Sequence, residues 1–171
     1  MNVLPGLWQA LIEAVFPPKC LVCSTFYAPQ PSPGTSEWHS PGDITASHLC
    51  KSCRDAMASI DTPLCSRCGF PFISRQGEDH TCLECLTERR YFRKARAFGL
   101  YEGSLMEAIH RLKYGRKTSL STPLGALARE TFFRFWDAGS IDLLLPVPLH
   151  IKRHRERGFN QAHLVNKKWA R

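Results

Sequence analysis

Cys20 and Cys23, Cys50 and Cys53, Cys65 and Cys68, and Cys82 and Cys85 share one spacing, and together they use all eight cysteines of the chain. Two thiolates separated by two residues can turn around one tetrahedral cation. Two such pairs close a four-sulfur site with no open coordination position. Four pairs therefore predict two structural Zn2+ ions. A disulfide framework would use the same residues, but disulfides persist in oxidising compartments and the N-terminal stretch has no export-signal pattern. A redox dithiol is disfavoured too, since one active pair needs no three companions. Consecutive pairing assigns Cys20, Cys23, Cys50 and Cys53 to one ion and Cys65, Cys68, Cys82 and Cys85 to the other. An interleaved cross-brace has the same spacings and stays open. His39, His48 and His80 are expected at the surface, because four thiolates already fill each site.

A second chemistry is written in the charge. The formal net charge is +8, and cations gather in three runs, at 89–96, 111–117 and 150–157. Such runs attract phosphate, whether in a nucleic acid or in a small phosphorylated ligand, although any single run can also be a solvated face. The third run follows an apolar stretch, Ile141 to Leu145, and the exit Pro146-Val147-Pro148-Leu149-His150. It is followed by Arg157-Gly158-Phe159-Asn160-Gln161-Ala162. A buried strand, a basic loop and a helix start in that order predict an anion site at the strand's carboxyl end.

These residues need elements to hold them. Leu4, Leu7, Trp8, Leu11, Ile12 and Val15 form one helical stripe, which predicts a docking helix over residues 1–17. It is too short and too amphipathic to span a bilayer, and its polar face carries no Lys or Arg, so the chain reads as soluble and cytoplasmic. Thr25 to Ser47 is rich in Pro, Ser and Gly and predicts a mobile loop inside the first metal site. Leu49 to Ile60 reads as a short helix that begins with its cysteine pair, and Gly69 permits a tight turn after Cys68. Residues 18–92 thus form a double zinc ribbon, and ordinary globular sequence takes over from residue 93. There, Ala95–Tyr101 predicts a strand. A helix runs from Ser104 to Tyr114, with Glu107 completing a capping box, and another covers Pro123 to Trp136. Ile141–Leu145 predicts a strand buried on both faces, and a further helix begins at Phe159 with Asn160 as its cap. The order β-α-α-β-α indicates an α/β class with a doubly wound sheet.

The Cys-x-x-Cys array, Ala97-Phe98-Gly99-Leu100-Tyr101-Glu102-Gly103, Ile109-His110-Arg111-Leu112-Lys113-Tyr114, Pro146–His150 and Arg157–Ala162 together resemble the ComF/GntX family. The resemblance covers nearly the whole chain. It implies a double zinc ribbon followed by the first part of a type I phosphoribosyltransferase-like domain over residues 93–171. It also implies a role in DNA uptake during competence, or in nucleotide salvage. Pro148, Leu149 and His150, with Lys152 and Arg153, match the loop that holds the pyrophosphate of phosphoribosyl pyrophosphate. Arg157, Asn160 and Gln161 match the family's Arg-Gly-Phe-Asn-Gln signature. In full-length relatives Mg2+ would accompany phosphoribosyl pyrophosphate, and the transition state would need cationic groups around the departing pyrophosphate.

One expected part has no match. The resemblance implies a later apolar strand ending in two acids and a Thr/Gly-rich turn, which would cradle the 5-phosphate and ribose. Asp142 precedes its apolar run, and the acidic doublet Glu78-Asp79 lies inside the second ribbon. The expectation is a truncated product or fragment of a longer ComF-like protein, without phosphoribosyl transfer of its own. A second reading, from a different class, is a non-catalytic zinc-ribbon module that binds single-stranded nucleic acid or a protein partner, such as a competence protein. Tyr91, Phe92, Phe98 and Tyr101, interleaved with the cations, would permit base stacking.

Overall fold

A computed structural model of the chain describes residues 15–28, 41–74, 76–167 and 169. The helix expected over residues 1–17 lies outside the described residues as far as position 14, as does His39. In chain order the helices are α1 (Pro41–Ala46), α2 (Lys51–Asp55), α3 (Leu83–Thr87), α4 (Gly103–Lys113), α5 (Ser121–Phe135), α6 (Ile151–Arg157) and α7 (Gln161–Asn166). Single 3-10 turns occupy Thr118–Leu120 and Ala138–Ser140. Among the described residues β-pairing is confined to isolated bridges: Lys19 with Phe26, Ser59 with Gly99, Leu64 with Pro71, and Cys65 with His80.

The longer helices follow the apolar period. Leu105, Ala108 and Leu112 of α4 are buried, as are Leu124 and Leu127 of α5. They form one core with Leu49, Met57 and Leu120, and with Cys20, Cys50 and Cys53. The ribbon's first half therefore shares its interior with the helices instead of standing apart. α5 is the central helix, packed on one side by α1 and on another by α7. At its carboxyl end Lys94 Nζ donates to Phe135 O at 2.7 Å and lies over the Phe135 and Trp136 rings. A cation there meets both an orphan carbonyl and the negative end of the helix dipole.

Several expected elements come out differently. Part of the Pro/Ser/Gly stretch at 25–47 is ordered: α1 closes it, with Thr45 buried against the rest of the fold. The helix expected over 49–60 is only α2. Beyond it the chain turns and pairs briefly with residues 98–100, Ile60 N donating to Phe98 O and Leu100 N to Ala58 O. That two-residue pairing is all that forms of the strand expected at 95–101. No capping box forms on α4. The N-cap is Glu102, two residues before the Ser104 expected there, without a side-chain cap, and Glu107 instead pairs with Arg111 at 2.6 Å.

The largest departure is at Ile141–Leu145, expected as a buried strand. It forms no strand, with Leu143 and Leu145 about 70 % exposed (69 % and 73 %). A strand is stable only when a neighbour takes up its N–H and C=O groups, and none of the bridges among the described residues involves this run. The doubly wound sheet is therefore not seen among the described residues, and the chain here is helix-rich.

Close approach of α5 and α7 depends on Gly125, where an added Cβ would lie 2.6 Å from Val165 O. Backbone cannot yield as a flexible side chain can. Gly125→Ala is expected to push α7 off α5 and cost about 1–3 kcal/mol, the usual range for overpacking. A thermal melt followed by circular dichroism would check it; an unchanged midpoint would contradict the packing described.

Candidate functional site

The eight sulfurs form two groups. Cys20, Cys23, Cys50 and Cys53 converge, and so do Cys65, Cys68, Cys82 and Cys85, with the sulfurs in each group lying within 4.8 Å of one another. The grouping is consecutive, not cross-braced. Thiolates around one tetrahedral zinc at about 2.3 Å lie about 3.8 Å apart. The Cys23–Cys50 and Cys68–Cys82 sulfurs are 3.6 Å and 3.8 Å apart, so both clusters fit a structural zinc ion.

The local backbone explains the convergence, and it repeats. In the first cluster Cys20 N donates to Thr25 O, Ser24 N to Cys20 O, and Leu21 N to His48 O. In the second, Cys65 N donates to Phe70 O, Gly69 N to Cys65 O, and Ser66 N to His80 O. The residue after each knuckle turns with positive φ, Ser24 at 65° and Gly69 at 74°. The second pair of each cluster opens a short helix: Cys50 stands at the N-cap of α2 and Cys82 at the N-cap of α3, with nearly equal dihedrals. Knuckle plus capped helix is one unit used twice. Its sequence trace is faint, because most of its hydrogen bonds are backbone to backbone and constrain few side chains.

Electrostatics show why these clusters need a cation. Thr25, through its hydroxyl and its N–H, holds the Cys23 thiol down to about 6. Burial pushes the Cys65 thiol up, but N–H groups of Cys82, Cys68 and Arg67 more than offset it and bring it to about 6. Burial first, then the neighbouring sulfurs, push Cys53 and Cys85 up to about 12. Four thiolates cannot share one site unaided. A bound Zn2+ would supply the positive charge that lets all four ionise. His48 bonds Ile44 O at 2.8 Å, and His80 bonds Glu78 O and stacks on Phe72; neither belongs to a cluster.

The basic runs meet different fates. In the first, Arg90 pairs with Glu84 and Glu88, Arg96 donates to Ser66 O, and Lys94 caps α5. Its cations mainly hold the second ribbon to the helices. The second and third runs are brought side by side. Arg116 donates to Glu156 O at 3.2 Å, and the Arg157 guanidinium lies 5.0 Å from the Tyr114 ring centre. The expected pyrophosphate residues sit on this face. His150 is the N-cap of α6, its Nδ1 accepting from Lys152 N. Arg153 pairs with Glu156, and Arg157 donates to Gln161 Oε1 at 3.0 Å. Lys152 and Arg153 are exposed, while Pro148 and Leu149 lie on the extended exit. Asn160 is fully engaged: its Oδ1 accepts from Ala162 N and His163 N, and its Nδ2 donates to Val147 O. It pins the exit to α7, a role that its place in a ligand signature did not foretell.

A double zinc ribbon domain matches residues 39–86, which contain the Cys50, Cys53, Cys65, Cys68, Cys82 and Cys85 ligands. Competence protein ComFC of Bacillus subtilis (strain 168) is 28% identical over 123 residues, 68% of this chain and 49% of that protein. DNA utilization protein YhgH of Escherichia coli (strain K12) is 28% identical over 121 residues, covering 68% and 51%. Competence protein F of Haemophilus influenzae is 28% identical over 134 residues, covering 75% and 55%. The chain carries a double zinc ribbon and is homologous to these competence-family proteins. It spans about half the length of the curated relatives it matches. No solved structure matches it. No helix among the described residues is long and apolar enough to cross a membrane.

The two halves of the ribbon differ in what depends on them. Cys20, Cys50 and Cys53 belong to the core shared with α4 and α5; the second cluster lies outside it. Cys53→Ser is expected to abolish cooperative melting of the helices, whereas Cys85→Ser should disorder only the second ribbon, as resolved by circular dichroism and amide exchange. Zinc binding must strip protons from the raised Cys53 and Cys85 thiols. Affinity for both ions should therefore fall as pH falls, with chelator competition at several pH values as the measurement.

Proposed function

We propose that the chain serves DNA uptake or utilisation, and that its helical part presents an oxyanion site of the phosphoribosyltransferase type. The convergence of the second and third basic runs carries this reading. Arg116 reaches Glu156 O and Arg157 reaches the Tyr114 ring, next to an exit whose path Asn160 fixes at Val147. The names of the homologues, competence protein and DNA utilization protein, support the cellular setting. The ordered Pro148-Leu149-His150 and Arg157-Gly158-Phe159-Asn160-Gln161 segments support pyrophosphate as the group recognised. Within this reading Lys152, Arg153 and Arg157 contact the anion, while His150, Asn160 and Gln161 position the loop and Arg157. Zinc takes no chemical part; the closed sulfur sites leave it no open position. The ribbon's task is to hold α4, and with it Tyr114 and Arg116, against α6. In a full-length relative, phosphoribosyl pyrophosphate with Mg2+ would be the ligand.

The same face also favours a second reading, binding of single-stranded nucleic acid. Tyr114 is exposed, its ring meets His110 edge-on at 5.6 Å, and Tyr101 lies beyond His110 at 6.1 Å. Exposed rings flanked by cations are what base stacking requires.

Calorimetry on the zinc-loaded chain separates the readings. Pyrophosphate with Mg2+ should bind, and Arg157→Ala should weaken it about tenfold or more, the loss of one charge-assisted contact. Tighter, steeply salt-dependent binding of an oligothymidylate, reduced by Tyr114→Ala, would favour the second reading. Binding of neither would refute both.

A further inference from the structure

The first zinc cluster is unevenly sheltered. Cys20, Cys50 and Cys53 are buried, at 1 %, 6 % and 7 % exposure, whereas Cys23 is exposed at the tip of its knuckle. Its sulfur is 3.6 Å from that of Cys50, against about 2.05 Å in a disulfide, so a shift of the knuckle tip suffices to join them. The second cluster shows two half-buried sulfurs, Cys68 and Cys82, and its Cys65 sulfur is covered by the N–H groups of Cys68 and Cys82 at 3.4 Å. The first cluster therefore offers one exposed cysteine residue, Cys23.

We propose that Cys23 is a modification site for peroxide-class oxidants, and that its oxidation to a Cys23–Cys50 disulfide dismantles the first zinc site and loosens the helices built on it. The Cys23 thiolate attacks one peroxide oxygen. An S–O bond forms, the O–O bond breaks, and hydroxide leaves and takes a proton as the first water. The Cys50 thiolate then attacks the Cys23 sulfur. The S–S bond forms, the S–O bond breaks, and the departing hydroxide becomes the second water. The balance is two thiolates, one hydrogen peroxide and two protons giving one disulfide and two waters; the sulfurs lose two electrons and the peroxide gains them. The site then has two thiolates left and loses its hold on the ion.

The consequence reaches beyond the ribbon by a continuous path. Ser24, next to Cys23, accepts from Arg111 of α4 at 3.2 Å. The far end of that helix leads to Tyr114 and Arg116, which meet Arg157 and Glu156 of α6. Cys50 and Cys53 pack in the same core as Leu105 and Leu112 of α4. Oxidation thus acts on the two helices that carry the basic face. This consequence does not depend on what that face binds.

The test uses the full chain loaded with zinc, treated with hydrogen peroxide while a chromogenic chelator reports released metal. The expected result is one fast equivalent of zinc per chain, a Cys23–Cys50 linkage in peptide mass spectra, and reversal by a dithiol with added zinc. Cys23→His, which keeps a fourth ligand but removes the exposed thiol, should slow release of that equivalent at least tenfold. If the variant fails to take up two ions, linkage mapping of the unmodified chain decides alone. Release at the same rate from the His variant, or a first disulfide that excludes Cys23, would overturn the proposal.

Discussion

Convergence of four sulfurs on one point, twice, is the constraint on which the rest depends. Among the described residues of the ribbon the helices are short, α1, α2 and α3 running to five or six residues each. Short helices of that kind do not persist on their own, because nucleation costs more than one or two hydrogen bonds return. Tying a knuckle and a helix start to one ion fixes both ends of each unit. The cost of closing the intervening loop rises only slowly with its length, so one ion can join pairs as far apart in sequence as Cys23 and Cys50.

The two clusters do different mechanical work although they are built alike. Cys20, Cys50 and Cys53 belong to one buried cluster with Leu105, Leu112 and Leu124, so the first site doubles as core. The second is attached by polar contacts at its margin: Arg67 donates to Arg90 O, Arg96 to Ser66 O, and Ala95 N to Arg67 O. Gly69 allows that seam, since a Cβ there would sit 2.7 Å from Ala95 O. Burial couples the first site to the helices, while hydrogen bonds at a partly solvated edge couple the second more weakly. Folding of the basic face is thereby linked to one ion more than to the other.

Charge is distributed to match. Near the ribbon Arg90, Lys94 and Arg96 are engaged by carboxylates, carbonyls and ring faces. The cations after α4 and on α6 converge because Arg116 reaches Glu156 O and Arg157 reaches the Tyr114 ring, while Lys152, Arg153 and Arg155 stay exposed. Like charges gather there at an energetic cost that an anion would offset. The apolar run at 141–147 is held at Val147 by Asn160.

Sequence alone determined the metal chemistry and its ligands. Thiol spacing is a local property: two residues between cysteines are enough to wrap one ion wherever the pair lies. It also determined the existence of α4 and α5, whose apolar period fixes a buried face, and the cap at Asn160, whose bonds reach only two and three residues onward. Tertiary structure decided how the pairs group, since the Cys-x-x-Cys spacing is identical in sequential and cross-braced sites. It decided that 141–145 stays unpaired, because a strand's stability resides in a neighbour and not in its own residues. It decided, too, which cations are consumed and which are presented. The sign of a side chain is written in the sequence, but the carbonyl or carboxylate that claims it lies on another element, and only folding brings the two together.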